Sequence, residues 1–312
     1  MNKKQMSLMA ASPTVPPFMG ATKSTTPEGY DAAIFGARHA TPYKSIDNRI
    51  HQDAPDAFRK AIAPDAEWLE HWDFDLGGPL LGQGLALCDL GNLKTTANDA
   101  EGNRQKIETC TAKIIEAGAV PIMFGGDDSV PIPFIAGFAH HPAIVILQID
   151  AHIDWRNERF GETNGFSSTM RRASEHEHVW RIVQVGARGM GSARQAEVQD
   201  AQNWGARIIP SRAVHHRGLS QVLEHIPDGS DCVICFDCDA LDVSQMPAVA
   251  YPSPGGLTYT QLTDLIAGVA AKAHIAGFCM VEFVPERDPT GTAAFTAARI
   301  ACNVIGHIGK RQ

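Results

Sequence analysis

The sequence predicts an α/β protein of three layers, in which helices cover both faces of one central parallel sheet. Two observations predict this class. Short apolar runs alternate with amphipathic stretches of helix length through the whole chain after residue 30, which is the pattern of βαβ units. The runs at 120–124 and 143–149 also lack polar alternation, as expected for strands buried on both faces.

The strands follow the chain in order. Residues 1–30 are rich in Ser, Thr, Pro and Met without clear periodicity. We interpret them as an N-terminal arm that is extended or mobile, or that lies over a neighbouring subunit. Residues 31–312 form a single α/β domain. Because short, apolar, β-branched runs favour strands, we predict strands at 30–36, 85–90, 120–124, 143–149, 181–186, 232–236 and 275–283.

The helices are predicted between these strands. The clearest spans 99–117, where Ile107, Ile114 and Ile115 alternate with charged residues and Gly118 follows the end. Arg171 and Arg172 mark a short basic helix. The other predicted helices are 56–69 (interrupted by Pro64), 195–204, 219–226 and 259–273.

Composition and charge limit the partners. The 312 residues are 44% hydrophobic and 20% charged, which is typical of a globular protein. A net charge of −8 without a dense basic block argues against nucleic acid or an anionic membrane as the main partner. No apolar run approaches the roughly 18–20 residues of a bilayer span. Seven scattered cysteines and a Pro-interrupted N-terminus predict a cytoplasmic protein without disulfides.

Acidic residues follow three of the predicted strands. Residues two apart on an extended segment share one side, and the carboxyl ends of parallel strands meet at one edge of the sheet. If these strands are neighbours, six ligands surround one spot: Asp128, Asp150, His152, Asp154, Asp237 and Asp239. So many acids are costly to bury unless cations neutralise them. The charge suits two divalent ions, which carboxylates can bridge.

The ligand types favour Mn²⁺, because oxygen ligands dominate and one imidazole is present, while Ni²⁺ and Co²⁺ stay open. For Asp128, the alternative is a helix cap after the Gly-Gly turn. Cys232, Cys235 and Cys238 could suggest a zinc site. Residues three apart on a strand face opposite sides, so we interpret them as core cysteines.

The acidic segments resemble the signatures of the ureohydrolases, the family of arginase and agmatinase. GGDDS at 125–129, DAHID at 150–154 and CFDCDALDV at 235–243 are similar to the family's GGDHS, DAHxD and SFDxDxxDP. Residues 252–258 and 281–285 resemble its P-x-PGGLT and VE-x-x-P stretches. Since the five motifs keep their order and spacing, the chain is identified as a divergent agmatinase-like member.

The resemblance implies hydrolysis of a guanidino C–N bond, with release of urea or a urea derivative and an amine. Asp150 and Asp237 would bridge two metals. His152 and Asp239 would complete one site, and Asp128 and Asp154 the other. Asp154 would also orient the hydroxide nucleophile, and Glu282 would bind the guanidinium.

The substrate would be a small cationic guanidino compound, and agmatine-like compounds, guanidino acids, guanidine and biguanides stay open. Trp155, Asn164 and Ser167 are further predicted substrate contacts. Relatives assemble as trimers or hexamers, so we expect a homo-oligomer, with a hetero-oligomer as the alternative.

Some positions depart from the family pattern. Asp128 stands where the family has His, Ser167 where a His would carry protons, and Val243 where Pro is usual. These departures leave open a weak or silent subunit that supports an active homologue. A metal-dependent deacetylase on a related sheet is a second alternative, but it would need a His-His pair that Asp127 and Asp128 do not supply.

Overall fold

A computed structural model describes residues 9–10, 15–81, 84–190 and 193–309. The strands in these residues form one sheet of ten. They are β1 (Met9–Ala10), β2 (Thr22–Lys23), β3 (Ala32–Ala37), β4 (Leu87–Leu93), β5 (Val120–Gly125), β6 (Ile144–Ile149), β7 (Val179–Val185), β8 (Arg207–Ile209), β9 (Asp231–Asp237) and β10 (His274–Val281).

The sheet order is β1-β4-β3-β5-β10-β9-β6-β7-β8, and β2 also pairs with β4. Every pairing is parallel except that of β1 with β4. Four neighbours, β5, β10, β9 and β6, lie at the centre. Because they are parallel, the residues that follow them emerge together at one edge of the sheet.

The helices cover both faces of the sheet. They are α1 (Ala54–Ile62), α2 (Ala100–Glu116), α3 (Pro131–Ala136), α4 (Thr169–Ala173), α5 (Gln195–Trp204), α6 (Ser211–Arg217), α7 (Ser220–Leu223), α8 (Tyr259–Lys272) and α9 (Thr292–Gly309). In β6, Val145 and Leu147 face a core shared with α1 and α6–α9, whereas Ile144 and Ile146 face one shared with α2–α5. The predicted three-layer fold with one central parallel sheet is confirmed.

Local sequence explains where several helices begin and end. The Asp99 side chain caps α2 by accepting from Gly102 N. Thr258 and Gln261 form a capping box at the start of α8. The predicted helix 56–69 is wrong in part, because α1 starts at Ala54 and a 3₁₀ helix (Ala63–Trp68) replaces the α-helix where Pro64 interrupts it.

Two further predictions are corrected. The predicted strand 275–283 ends at Val281, since Glu282 has φ 66° and leaves the extended conformation. No element is predicted for residues 292–309, yet they form α9. This helix is buried over most of its surface, so its polar face is a narrow stripe and gives a weaker helix signal than a broad one.

The predicted N-terminal arm lies outside the described residues at 1–8 and 11–14. Phe18 is fully buried in the core, with its ring 4.9 Å from that of Phe124. Its backbone N–H donates to Asp89 Oδ2 (2.9 Å).

All seven cysteines fall within the described residues, and each is buried with a free thiol. Cys232 and Cys235 face opposite cores, as predicted. None of the helices in the described part of the chain combines the length and apolarity that a bilayer crossing requires.

Candidate metal centre

The four central strands bring seven acidic residues to one edge of the sheet. Every one is at least nine-tenths buried, which is unusual for carboxylates. They are Asp127 and Asp128 after β5, Asp150 and Asp154 after β6, Asp237 and Asp239 at the end of β9, and Glu282 after β10.

Two groups of ligand atoms form within this cluster. In each of the groups Asp150–His152–Asp239 and Asp128–Asp150–Asp154, the ligand atoms lie within 4.8 Å of one another. His152 Nδ1 is 3.1 Å from Asp239 Oδ2 and 3.4 Å from Asp150 Oδ1. Asp150 belongs to both groups, so two cations bound there would share one carboxylate.

Asp128 provides the test of whether a cation fits. Its backbone N–H donates to Glu282 Oε1 (2.8 Å), but its Oδ2 is buried and has no hydrogen-bond partner among the described residues. A buried carboxylate oxygen without a donor is costly. A divalent cation would satisfy it, so the residues present fit a metal.

Asp237 lies beside the two groups but belongs to neither. One carboxylate oxygen accepts the backbone N–H of Asp239 (2.7 Å), and the side chain lines the same cavity as Asp128 and Asp239. Burial, with the neighbouring charges of Asp239 and Asp150, raises the pKa of Asp237 well above its usual range. The bridging role of Asp237 stays a prediction.

Burial and neighbouring charges also shift the pKa values of other titratable groups in the cluster. Burial, followed by neighbouring carboxylates, raises the pKa values of Asp128, Asp154 and Glu282 well above their usual range. Burial opposes protonation of His152, but hydrogen bonds and charge from Asp150 and Asp239 outweigh it and raise the pKa of His152 to about 12. The cluster therefore requires bound protons or bound cations.

A buried glutamine pair supports the ligands from behind. Gln148 in β6 donates from Nε2 to Asp150 Oδ2 and Asp154 Oδ2, both at 2.7 Å. Its Oε1 accepts from Gln184 in β7, which also donates to Ile153 O (2.7 Å). Sequence reasoning missed this pair, although a glutamine inside an apolar strand run is a signal that it has buried partners.

Glu282 also has a partner that sequence reasoning missed. Glu282 Oε2 is 3.3 Å from His51 Nε2, and His51 Nδ1 lies 3.1 Å from Phe283 O. His51 is buried in a segment that the sequence indicates only as a polar loop. Glu282 (φ 66°) and Asp154 (φ 43°) both adopt left-handed backbone, which clusters at functional sites.

The acids line a cavity of about 440 Å³, a size suited to a small molecule. Five acidic or imidazole side chains line it with Glu282: Asp128, His152, Asp154, Asp237 and Asp239. Arg156, Arg159 and Arg188 also line it, with Phe166 and Tyr251. The cavity lining therefore carries both negative and positive groups.

The three further predicted substrate contacts differ in whether they line the cavity. Ser167 lines the cavity, and its Oγ lies 3.1 Å from Tyr43 OH. Trp155 does not: its ring is buried against Trp204, and its Nε1 donates to Asp200 of α5 (2.9 Å). Asn164 also lies away from the cavity lining.

Comparisons with known proteins identify the family and agree with this fold. The model of the arginase family matches residues 30–306. The chain is 28% identical over 293 residues to a protein named guanidino acid hydrolase, mitochondrial, from Homo sapiens (90% of this chain, 79% of that protein). It is 33% identical over 215 residues to N(1)-aminopropylagmatine ureohydrolase from Thermus thermophilus (67% of this chain, 70% of that protein).

Among solved structures, proclavaminate amidino hydrolase from Streptomyces clavuligerus superposes with a TM-score of 0.83. The match covers 96% of this chain and 98% of the other at 21% sequence identity. At that identity the likeness concerns the fold.

Proposed function

Because this chain belongs to the arginase family, we propose that it hydrolyses a C–N bond of a guanidino compound and releases urea, or a urea derivative, and an amine. The observation that carries the proposal is the pair of ligand groups that share Asp150 beside a substrate-sized cavity. Three separate stretches of sequence supply these groups, and the central strands bring them together.

Two divalent metal ions would be the cofactors. Asp150, His152 and Asp239 would hold one ion, and Asp128, Asp150 and Asp154 would hold the other. Asp237 would supply a further carboxylate to the pair. When bound, such ions lower the pKa of water towards about 7, which makes a nucleophile available at neutral pH. The oxygen-rich ligand set favours Mn²⁺, with Ni²⁺ and Co²⁺ as the alternatives.

The chain's own residues bind and orient the reactants. Glu282 faces the cavity, where its carboxylate accepts hydrogen bonds from the planar guanidinium. His51 and the Asp128 N–H hold its two oxygens, so the acceptor direction is fixed before substrate binds. Asp154 is held by Gln148 and orients the attacking water by accepting a hydrogen bond from it.

Metal analysis combined with a urea-release screen tests the proposal. We expect the purified full-length chain, loaded with Mn²⁺ or Ni²⁺, to bind about two metal ions and to release urea from at least one guanidino compound. Asp150→Ala should abolish metal binding and activity together, because both groups lose a ligand. Asp264→Ala, which removes an exposed carboxylate from α8, is the matched control.

Two results would contradict the proposal. Full activity with less than one metal per chain would exclude the paired site. Turnover only after co-expression with an active homologue would instead favour the silent-subunit alternative, in line with the departures at Asp128 and Ser167. We expect a homo-oligomer, a trimer or hexamer, and sedimentation of the same samples measures this oligomeric state. The expected compartment is the cytoplasm.

A further inference from the structure

We infer that Arg159 binds a carboxylate at the end of the substrate opposite the guanidinium, so that the substrate is an ω-guanidino carboxylic acid. The inference rests on the proposed function and names the substrate class of the same cavity. The starting observation is that the cavity lining carries arginines as well as the acidic cluster. A molecule with a cation at one end and an anion at the other complements both.

Of the three arginines that line the cavity, Arg188 has its donors already occupied. Its guanidinium donates to the carbonyl oxygens of Asp239 (2.5 Å), Leu241 (3.1 Å) and Ser253 (2.8 Å). It therefore holds the loops around the metal ligands. Arg156 adds positive charge to the lining, and its backbone N–H donates to Ser167 O (3.0 Å).

Arg159 has a different environment. Its guanidinium carbon lies 5.1 Å from the ring centre of Phe160, 5.6 Å from Phe166 and 5.7 Å from Tyr43. The only hydrogen bond of this guanidinium among the described residues is a long one to Ser167 Oγ (3.5 Å). No carboxylate in the described part of the chain forms an ion pair with it. Aromatic faces orient a guanidinium without using its N–H donors.

The backbone holds this arginine in place. Arg159 and Glu162 exchange two backbone hydrogen bonds (2.9 and 3.1 Å) around Phe160 and Gly161. These two residues have φ values of 55° and 77°, and positive φ at both central positions is what a type I′ turn requires. A bulky residue such as phenylalanine rarely adopts positive φ. Such strain indicates a conformation kept for function, and here it places the Phe160 ring against the guanidinium.

The nearby acids do not neutralise Arg159. Glu158 accepts the backbone N–H of Gly161 (2.8 Å), and Glu162 accepts that of Asn164 (2.8 Å). The planar N–H donors of Arg159 thus remain for a ligand, and a carboxylate matches their fork geometry. A substrate with a terminal ammonium would instead meet like charge.

Three guanidines of similar length test the inference: 4-guanidinobutanoate, agmatine and 1-butylguanidine. With metal-loaded full-length protein, we expect kcat/KM for 4-guanidinobutanoate to exceed that for 1-butylguanidine by about 10-fold or more, the effect of a charged hydrogen bond. Agmatine should fall below 1-butylguanidine. Arg159→Gln should bring the ratio of the first two close to one, and Arg159→Lys should restore part of it.

Arg207→Gln is the matched control, because it removes an exposed arginine at the start of β8 and should keep the wild-type ratio. Equal or faster hydrolysis of agmatine or 1-butylguanidine, or an unchanged ratio in Arg159→Gln, would overturn the inference and leave the proposed function intact.

If no guanidine is hydrolysed, the proposed function fails. Calorimetric measurement of ligand binding then tests the carboxylate site at Arg159 separately. Tighter binding of 4-guanidinobutanoate than of 1-butylguanidine, lost in Arg159→Gln, would support the carboxylate site. Equal binding of the two compounds would refute it.

Discussion

Replacing Gln148 with methionine should destabilise the protein and weaken its metal site. Methionine keeps the length and burial of the side chain but removes both N–H donors to Asp150 and Asp154 (2.7 Å each). A hydrogen bond to a charged group contributes about 1.5–3 kcal/mol. Since buried methionine recovers part of the loss, we expect Gln148→Met to lower the free energy of unfolding by about 3 kcal/mol.

Thermal unfolding of the purified protein measures this effect. With about 2.1 cal/mol/K of unfolding entropy per residue over 312 residues, a loss of about 3 kcal/mol lowers Tm by about 5 °C. Metal affinity should fall as well, because Asp150 and Asp154 lose the group that orients them. Gln199→Met, on an exposed position of α5, is the control. An unchanged Tm and unchanged metal affinity in Gln148→Met would refute the reasoning.

Three further predictions follow from the same cluster. In the presence of a chelator, Tm should be lower at pH 8 than at pH 5. Burial and neighbouring carboxylates raise the pKa values of Asp128, Asp237 and Glu282, so the stability that their protonated forms contribute is lost as pH rises. An equal or higher Tm at pH 8 would contradict this, and added Mn²⁺ should reduce the difference in Tm between the two pH values. Asp128→His should change which metal the purified protein retains, as measured by elemental analysis, whereas unchanged metal content would show that Asp128 is not a metal ligand. His51→Ala should lower the free energy of unfolding by about 2 kcal/mol through the loss of two buried contacts, with exposed His216→Ala as the control; a denaturant midpoint equal to that of the control would show that the contacts contribute nothing.

Much of the fold could be predicted because the central strands are short apolar runs with helices between them. The strands that carry the acids were located to within a few residues, so the meeting of Asp128, Asp150 and Asp239 could be inferred before any coordinates. The prediction failed for α9 because its polar residues form only a narrow stripe and most of its surface is buried. That stripe consists of Thr292, Thr296, Arg299, Asn303 and His307. Hydrophobic periodicity reports a boundary between core and solvent, and α9 lies largely inside that boundary.

The supporting residues of the site were harder to predict. His51 acts through contacts with Glu282 and Phe283, far along the chain. Gln148 donates to acids close to it in sequence, but neither residue belongs to a short motif. The guanidinium of Arg159 is oriented by the ring of Tyr43, more than a hundred positions earlier in the chain, and by a strained turn. The charged groups can be identified from local sequence. The long-range packing that orients them can be seen only in the folded structure, where the strands lie in register.

Trp155 shows how one backbone angle redirects a prediction. Its position directly after Asp154 suggested a place at the cavity mouth. Asp154, however, has φ 43°, which breaks the extended alternation, and Trp155 lies against α5 instead. Asp154, Phe160 and Glu282 are three of the four non-glycine residues with positive φ in the described part of the chain. Such conformations cost about 1–3 kcal/mol each. All three residues lie at or beside the cavity. The strained backbone conformations are therefore found where they orient a carboxylate or an arginine side chain.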